Sequence, residues 1–289
     1  MESQSRENVV ECFIVVRLIV DRRFFIGASA ACSCFMCASN SFSQEVAESM
    51  PSCAIMTADD QLASDKIAES EWGGNAPQND DMGFEASYSL RKRWNPDRRE
   101  IRVAFLTNPP IADHVFRAAQ GWEPYMKLKF KRVNVRDGAD IYARFAPGQG
   151  HYSYIGTDCR WGYANDGHTM SFGWEGSVST TDLRRVTLHE FGHALGLVHE
   201  HHVPGSDISW NKPAVYDYYE KKYGWSKEKI DRNILNQYTR NEVRGTAYDA
   251  ASIMHYPVPR EHVIDPEDVV GWNSNLSQGD KILIGKMWS

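Results

Sequence analysis

The sequence predicts an α+β fold: a mixed, mostly parallel, twisted sheet backed by helices, one of which carries the chemistry, followed by a mainly irregular and helical C-terminal subdomain. Three observations predict it. Segments of strand, helix, strand and strand character follow one another between residues 101 and 145. A capped amphipathic helix then places two His four residues apart, at His189 and His193. After His199 the strong signals are helical ones, separated by Gly, Pro and Asn.

Ile101-Arg102-Val103-Ala104-Phe105 alternates in the period of a strand, and Asn108-Pro109-Pro110 ends it. From Asp113 the apolar residues Val115, Phe116, Ala119, Trp122 and Met126 recur at three-to-four spacing, which is helical. Lys127 to Val133 alternates again through Leu128 and Phe130, and Asp140 to Phe145 does so through Ile141, Ala143 and Phe145. Thr169 to Trp174, bounded by Gly167 and Gly176, is a fourth strand. Ser179-Thr180-Thr181-Asp182 opens the next helix as a capping box; Leu183, Val186, Leu188, Phe191, Ala194 and Leu195 continue it, and Gly196 ends it in a left-handed turn. Asn211 and Pro213 start a helix through Tyr223, closed by Gly224, and Ser226 caps another through Leu235. The tyrosine stripe Tyr216, Tyr219, Tyr223 is assigned to packing.

The last two turns of the capped helix read His189-Glu190-Phe191-Gly192-His193. His at i and i+4 share one helix face, so both imidazoles reach one zinc at about 2.0–2.1 Å. Glu190 projects beside them, where it can take a proton from water. Gly196 bends the chain, and His199 arrives as a third neutral nitrogen ligand. Three protein ligands leave the fourth position open, as catalytic rather than structural zinc requires. The expected chemistry is metal-assisted hydrolysis. His201 and His202 are read as solvated loop histidines, because the spacing favours His199.

The string HEFGHALGLVHE matches HExxHxxGxxH, and Ser252-Ile253-Met254-His255-Tyr256 follows at the right separation. In both motifs the chain resembles the metzincin zinc metalloendopeptidases, in particular the astacin branch and its secreted microbial relatives, over Arg93 to the C-terminus. The resemblance implies a metzincin-type zincin and an endopeptidase using Zn²⁺, with His189, His193 and His199 as ligands and Glu190 as the general base. It makes Met254 the residue of the turn beneath the metal, with Gly196 as further structural support, and Tyr256 the tyrosine that ligates zinc at rest and swings to the oxyanion. It also implies that peptide substrates add as a strand along His168 to Gly173. The chain departs from animal astacins in keeping only Cys159 in this region and in running His201-His202-Val203-Pro204-Gly205 where they carry an Arg- and Asp-rich stretch. The rival reading is a zinc-containing module that holds peptide without cutting it; the intact Glu190 speaks against it.

Charge divides the chain into three. Residues 1–39 carry four Arg against four acids; residues 40–85 carry Lys66 against ten acids, for −9; residues 86–289 carry 27 Lys+Arg against 24 Asp+Glu, for +3. The overall −6 excludes a strongly basic nucleic-acid binder, so nucleic acid is not an expected partner. Arg22 and Arg23, followed by Phe24-Phe25-Ile26 and small residues to Ser39, have the order of an export signal. The expected organisation is a leader at 1–42, an acidic linker or pro-segment at 43–85 and a catalytic domain at 86–289, giving a secreted monomer with no lasting membrane insertion. The acidic segment is expected either to be a flexible spacer or to plug the metal site through Asp80, Asp81 or the Cys53 thiolate. Cys53 and Cys159 remain once the leader is gone and are available to pair.

Overall fold

Strands form here from short segments of varied character, from the largely apolar residues 100–105 to the charged residues 129–132, and four of the helices open on side-chain caps at Asp60, Ser179, Ser226 and Ser277. In a computed structural model, which describes residues 53–56, 60–73, 87–89, 92–240, 242–245 and 247–289, the strands are β1 Cys53–Met56, β2 Ser87–Ser89, β3 Glu100–Phe105, β4 Lys129–Arg132, β5 Ile141–Phe145, β6 His151–Tyr154, β7 Met170–Phe172 and β8 Val243–Gly245. The helices are α1 Gln61–Glu71, α2 Ile111–Ala119, α3 Asp158–Asp166, α4 Thr180–Leu195, α5 Lys212–Tyr223, α6 Lys227–Ile230 and α7 Gln278–Met287. The expected leader lies outside the described residues. No helix among those described is long and apolar enough to cross a membrane.

The main sheet has six strands in the order β1-β6-β7-β5-β3-β4, and every neighbouring pair is parallel except β6 with β7. This is the mixed, mostly parallel sheet expected. β2 and β8 form a separate antiparallel pair. The helix expected from Asp113 to Met126 is true α-helix only to Ala119 and continues as a 3-10 turn from Gln120 to Tyr125, which holds Gly121 and Pro124. The turn keeps Trp122 on the inner side, where it is fully buried and its indole N–H donates to Leu188 O at 3.0 Å.

α4 is the centre of the core. Ser179 caps it by accepting from Asp182 N, and every residue from Val186 to Leu195 is buried. Phe191 meets Phe130 edge-to-face at 5.1 Å. Its last carbonyls find partners in tertiary structure: Ala194 O accepts from Trp94 Nε1 at 2.7 Å and His193 O from Gly156 N at 2.9 Å. Gly156 has φ +49°, and a Cβ there would sit inside the Lys92 carbonyl, so the approach needs glycine.

Part of the acidic segment is ordered against this body, which corrects the expectation of a flexible spacer for those residues. β1 adds to the sheet edge parallel to β6, with Cys53 opposite His151 and Met56 opposite Tyr154. Asp60 caps α1, and Ser64 Oγ donates to Asp158 Oδ1 at 2.5 Å, where Lys92 also pairs. Glu71 receives Arg160 at 2.7 Å and Arg98 at 3.2 Å. Few large apolar residues are needed, because a preformed surface supplies the partners.

Candidate metal centre and catalytic cleft

Helical periodicity stacks His189 and His193 on one face of α4, ring centroids 4.8 Å apart. Gly196, at φ +109°, then closes the helix: its N–H and that of Leu197 bond back to His193 O at 2.8 Å and Gly192 O at 3.0 Å. This reversal brings His199 to within 4.6 Å of His193, ring to ring. His189 Nδ1 bonds Ile253 O at 2.8 Å and His193 Nδ1 bonds Leu197 O at 2.9 Å, which commits each Nδ1 as donor and turns the Nε2 lone pair inward. His189 Nε2 is buried without a partner, and the Nε2 atoms of His193 and His199 face each other at 3.0 Å. Burial holds His193 down to about 4 and pushes His189 and His199 well below the ordinary imidazole range, so all three rings are neutral at pH 7 and able to offer a nitrogen lone pair to a metal.

A fourth donor closes the ring. Cys53 on β1 gathers with His189, His193 and His199, each offering one ligand atom within 4.8 Å of the others. Three inward nitrogens and one sulfur, all buried, fit tetrahedral zinc by number, softness and orientation. The Cys53 thiol also donates to Glu190 Oε2 at 3.1 Å. Burial and then the Glu190 charge raise that thiol well above its usual range, while burial raises Glu190 to about 8. Met254 is buried under α4 with its sulfur over Gly192, where a Cβ would come to 2.4 Å from Sδ. The motif thus spells glycine because methionine fills that space. The Tyr256 ring lies 4.2 Å from His199, its hydroxyl buried without a partner and held protonated by burial.

Cys53, His189, Glu190 and Tyr256 line one cleft of about 640 Å³, which also takes in Arg185, Trp174 and Trp272. Residues 87–287 match the family model for the astacin peptidases. The chain belongs to the astacin family. Two solved structures of myroilysin resemble this astacin: one is 34% identical, covering 70% of this chain and 98% of that one at a TM-score of 0.64, the other 35% identical, covering 68% and 86% at 0.52. High choriolytic enzyme 1, a hatching-enzyme zinc-protease from the medaka Oryzias latipes, is 16% identical over 68% of this chain and 92% of its own, at 0.47. No curated protein matches the sequence. The chain is therefore a metallopeptidase of a zinc-dependent family, with its His cluster assembled as the family fold requires.

Four sequence expectations are corrected or narrowed in this astacin. The strand at His168 to Gly173 is not an edge: β7 is hydrogen-bonded to β5 on one side and β6 on the other, so no peptide can add to it. The body's outer strand on that side is β6, and β1 covers it. His201 and His202 are not solvated, being 1% and 2% exposed, because the 3-10 turn Glu200–His202 folds them inward. Cys53 and Cys159 are both free and buried. Of the three plugs considered, Asp80 and Asp81 lie outside the described residues, and Cys53 reaches the site.

Two site residues went unread in the sequence. Arg185, one helical turn before His189, shares its face; it stacks on Trp272 at 3.9 Å and pairs with Asp182 at 3.3 Å. The i, i+4 spacing was the available signal. Asp280 reads as the N3 residue of the α7 capping box, yet its buried carboxylate also accepts from Ser252 Oγ at 2.7 Å and Ile253 N at 2.9 Å. It thereby ties the turn carrying Met254, and the carbonyl that orients His189, to the last helix.

Proposed function

We propose that this chain is a secreted zinc endopeptidase made as a latent precursor, with residues 43–85 a removable pro-segment and 86–289 the catalytic domain. The observation that carries the reading is Cys53, held by β1 among His189, His193 and His199 with its sulfur against Glu190. One side chain occupies the position a hydrolytic metal must keep open and ties down the base. Export is supported by the Arg22-Arg23 and apolar order of the leader.

His189, His193 and His199 would hold zinc, which supplies Lewis acidity to a carbonyl and a lowered pKa to water. With β1 gone, the β6 edge is free to pair an extended protein or peptide substrate in its place. Glu190, relieved of the Cys53 thiol and rehydrated, ionises, takes a proton from the attacking water and delivers it to the leaving amine. The Tyr256 hydroxyl, protonated and without another partner, donates to the oxyanion. Asp280 and the Ile253 carbonyl keep His189 in the required tautomer.

The test compares full-length wild type with full-length Cys53→Ala on a denatured protein substrate, with and without chelator. Wild type is expected to be silent until its N-terminal segment is removed, as mass spectrometry of the mature N-terminus would register. Cys53→Ala is expected to cleave at once, to stop with chelator and to recover with zinc. A Cys53→Ala chain, or a processed one, that holds stoichiometric zinc yet is silent across varied peptides would instead establish the peptide-holding module.

A further inference from the structure

The acidic segment meets the body at two separate places, and only one of them is the metal site. β1 brings Cys53 to the histidines, while α1, whose cap Asp60 follows β1 after three residues, lies against α3 and the stretch from Lys92 to Arg98. Both anchors precede residue 85, so a cut there severs neither of them. What holds the segment after the cut is noncovalent fit alone.

The seat of α1 is built into the body. Glu71, its side chain 6% exposed, accepts from Arg160 Nη2 at 2.7 Å, from Arg98 Nη1 at 3.2 Å and from Asn95 N at 3.2 Å. Arg98 and Arg160 lie over the buried Trp94 ring at 4.9 and 5.3 Å, and both also pair with Asp140 of the body, at 2.8 and 3.8 Å. Two guanidinium groups thus share two carboxylates, and Asp140 and Trp94 keep both in position when Glu71 leaves. One carboxylate then faces two cations, so the vacated seat favours a new anion. On either side of Glu71, Ser64 Oγ donates to the buried Asp158 and the Trp72 indole N–H donates to Arg93 O at 3.0 Å. A preformed seat loses little conformational freedom on being refilled. Residues 60–73 carry four acids against Lys66, and the body is +3, so charge also favours return.

We propose that this seat is a standing binding surface of the catalytic body, and that its occupant after processing is the excised acidic segment of the same chain, which returns in trans and keeps the cleft shut. The inhibition rests on the latent-precursor reading above; the seat itself does not. Once α1 is seated, β1 is held on a three-residue tether, so its approach to β6 becomes intramolecular, at an effective concentration on the order of millimolar. Activity then appears as the freed segment is diluted or digested, rather than at the cut.

The probe is a fluorescent synthetic peptide of residues 53–73, kept reduced and added to the processed chain once its own segment has been removed. Anisotropy reads binding, and cleavage of a denatured protein is followed in parallel. The wild-type peptide is expected to bind and to inhibit. The Cys53→Ala peptide is expected to bind through α1 yet inhibit roughly tenfold more weakly, and the Glu71→Ala peptide to bind on the order of tenfold more weakly. Arg160→Ala in the body should weaken binding by a similar factor with uninhibited cleavage unchanged; the peptide substitution decides alone if that variant fails to fold by circular dichroism. A wild-type peptide that does not bind an active processed chain, or Glu71→Ala binding as tightly as wild type, overturns the seat. Binding that persists on a chain silent toward every substrate upholds the seat and sinks the peptidase reading instead.

Discussion

Replacing Glu190 with Gln separates catalysis from stability, because the same burial that poises the base also destabilises the precursor. The carboxyl is 1% exposed and is raised by burial from 4.5 to about 8. A folded-state pKa above the unfolded value gives stability that is present below pH 4.5 and lost as pH rises towards 8. Between pH 4.5 and 7 the loss is about 3 kcal/mol at about 1.36 kcal/mol per unit, or on the order of 2 once the burial of an amide is set against it. Metal-stripped full-length Glu190→Gln should therefore lie about 1 kcal/mol below wild type near pH 4.5 and exceed it by about 2 kcal/mol at pH 7, where the Tm rises by roughly 4–8 °C. Urea unfolding at a series of pH values reads the difference, which cancels the titration of every other group, including Glu200, itself raised to about 8. After activation, the same variant should keep zinc and lose 10²–10⁴-fold in kcat/KM, on the order of 3–5 kcal/mol. A stability difference independent of pH would refute the buried-carboxylate argument. Activity within tenfold of wild type would refute the base.

Activated Tyr256→Phe should lose on the order of 10²-fold in kcat with KM little changed, since the hydroxyl acts only on developing charge; an unchanged kcat in steady-state kinetics would remove Tyr256 from the mechanism. Gly192→Ala drives a Cβ to 2.4 Å from Met254 Sδ and should lower stability by about 1–3 kcal/mol in urea unfolding, despite the better helix propensity of Ala. Glu71→Ala leaves Arg98 and Arg160 without their partner on α1 and should hasten activation by added protease, measured as the rate of appearance of the mature N-terminus. Processing near residue 85 removes −9 with the segment and leaves a body of +3, so isoelectric focusing should move from acidic to mildly basic; an unchanged acidic band would mean the segment stays attached.

Much of the fold was legible because the informative elements are locally determined. Ser179 and Gly196 bracket α4 whatever surrounds it, and the period of 3.6 puts His189 and His193 on one face. Short strands were less legible. β6 carries His151 and three hydroxyl-bearing side chains, and its place in the sheet comes from pairing with β1 and β7 rather than from its own pattern. α3 likewise lacks a clear apolar period and is set by contact, with Gly162 pressed against the Tyr154 ring.

By itself the sequence picked out His189, Glu190, His193 and His199 in one continuous motif and Met254 and Tyr256 in a second, and the fold brings the two motifs together. Tertiary structure alone decided which strand is the edge and which plug reaches the site. Edge position depends on the order in which distant segments pair, so β7 became an interior strand and β6 the outer strand of the body. Cys53 and Glu190 are 137 residues apart, and no local period relates them; only the docking of β1 brings sulfur to carboxylate. The same holds for His201 and His202: their burial follows from how Asn233 and Tyr238 pack against a single turn, which no spacing in the sequence encodes.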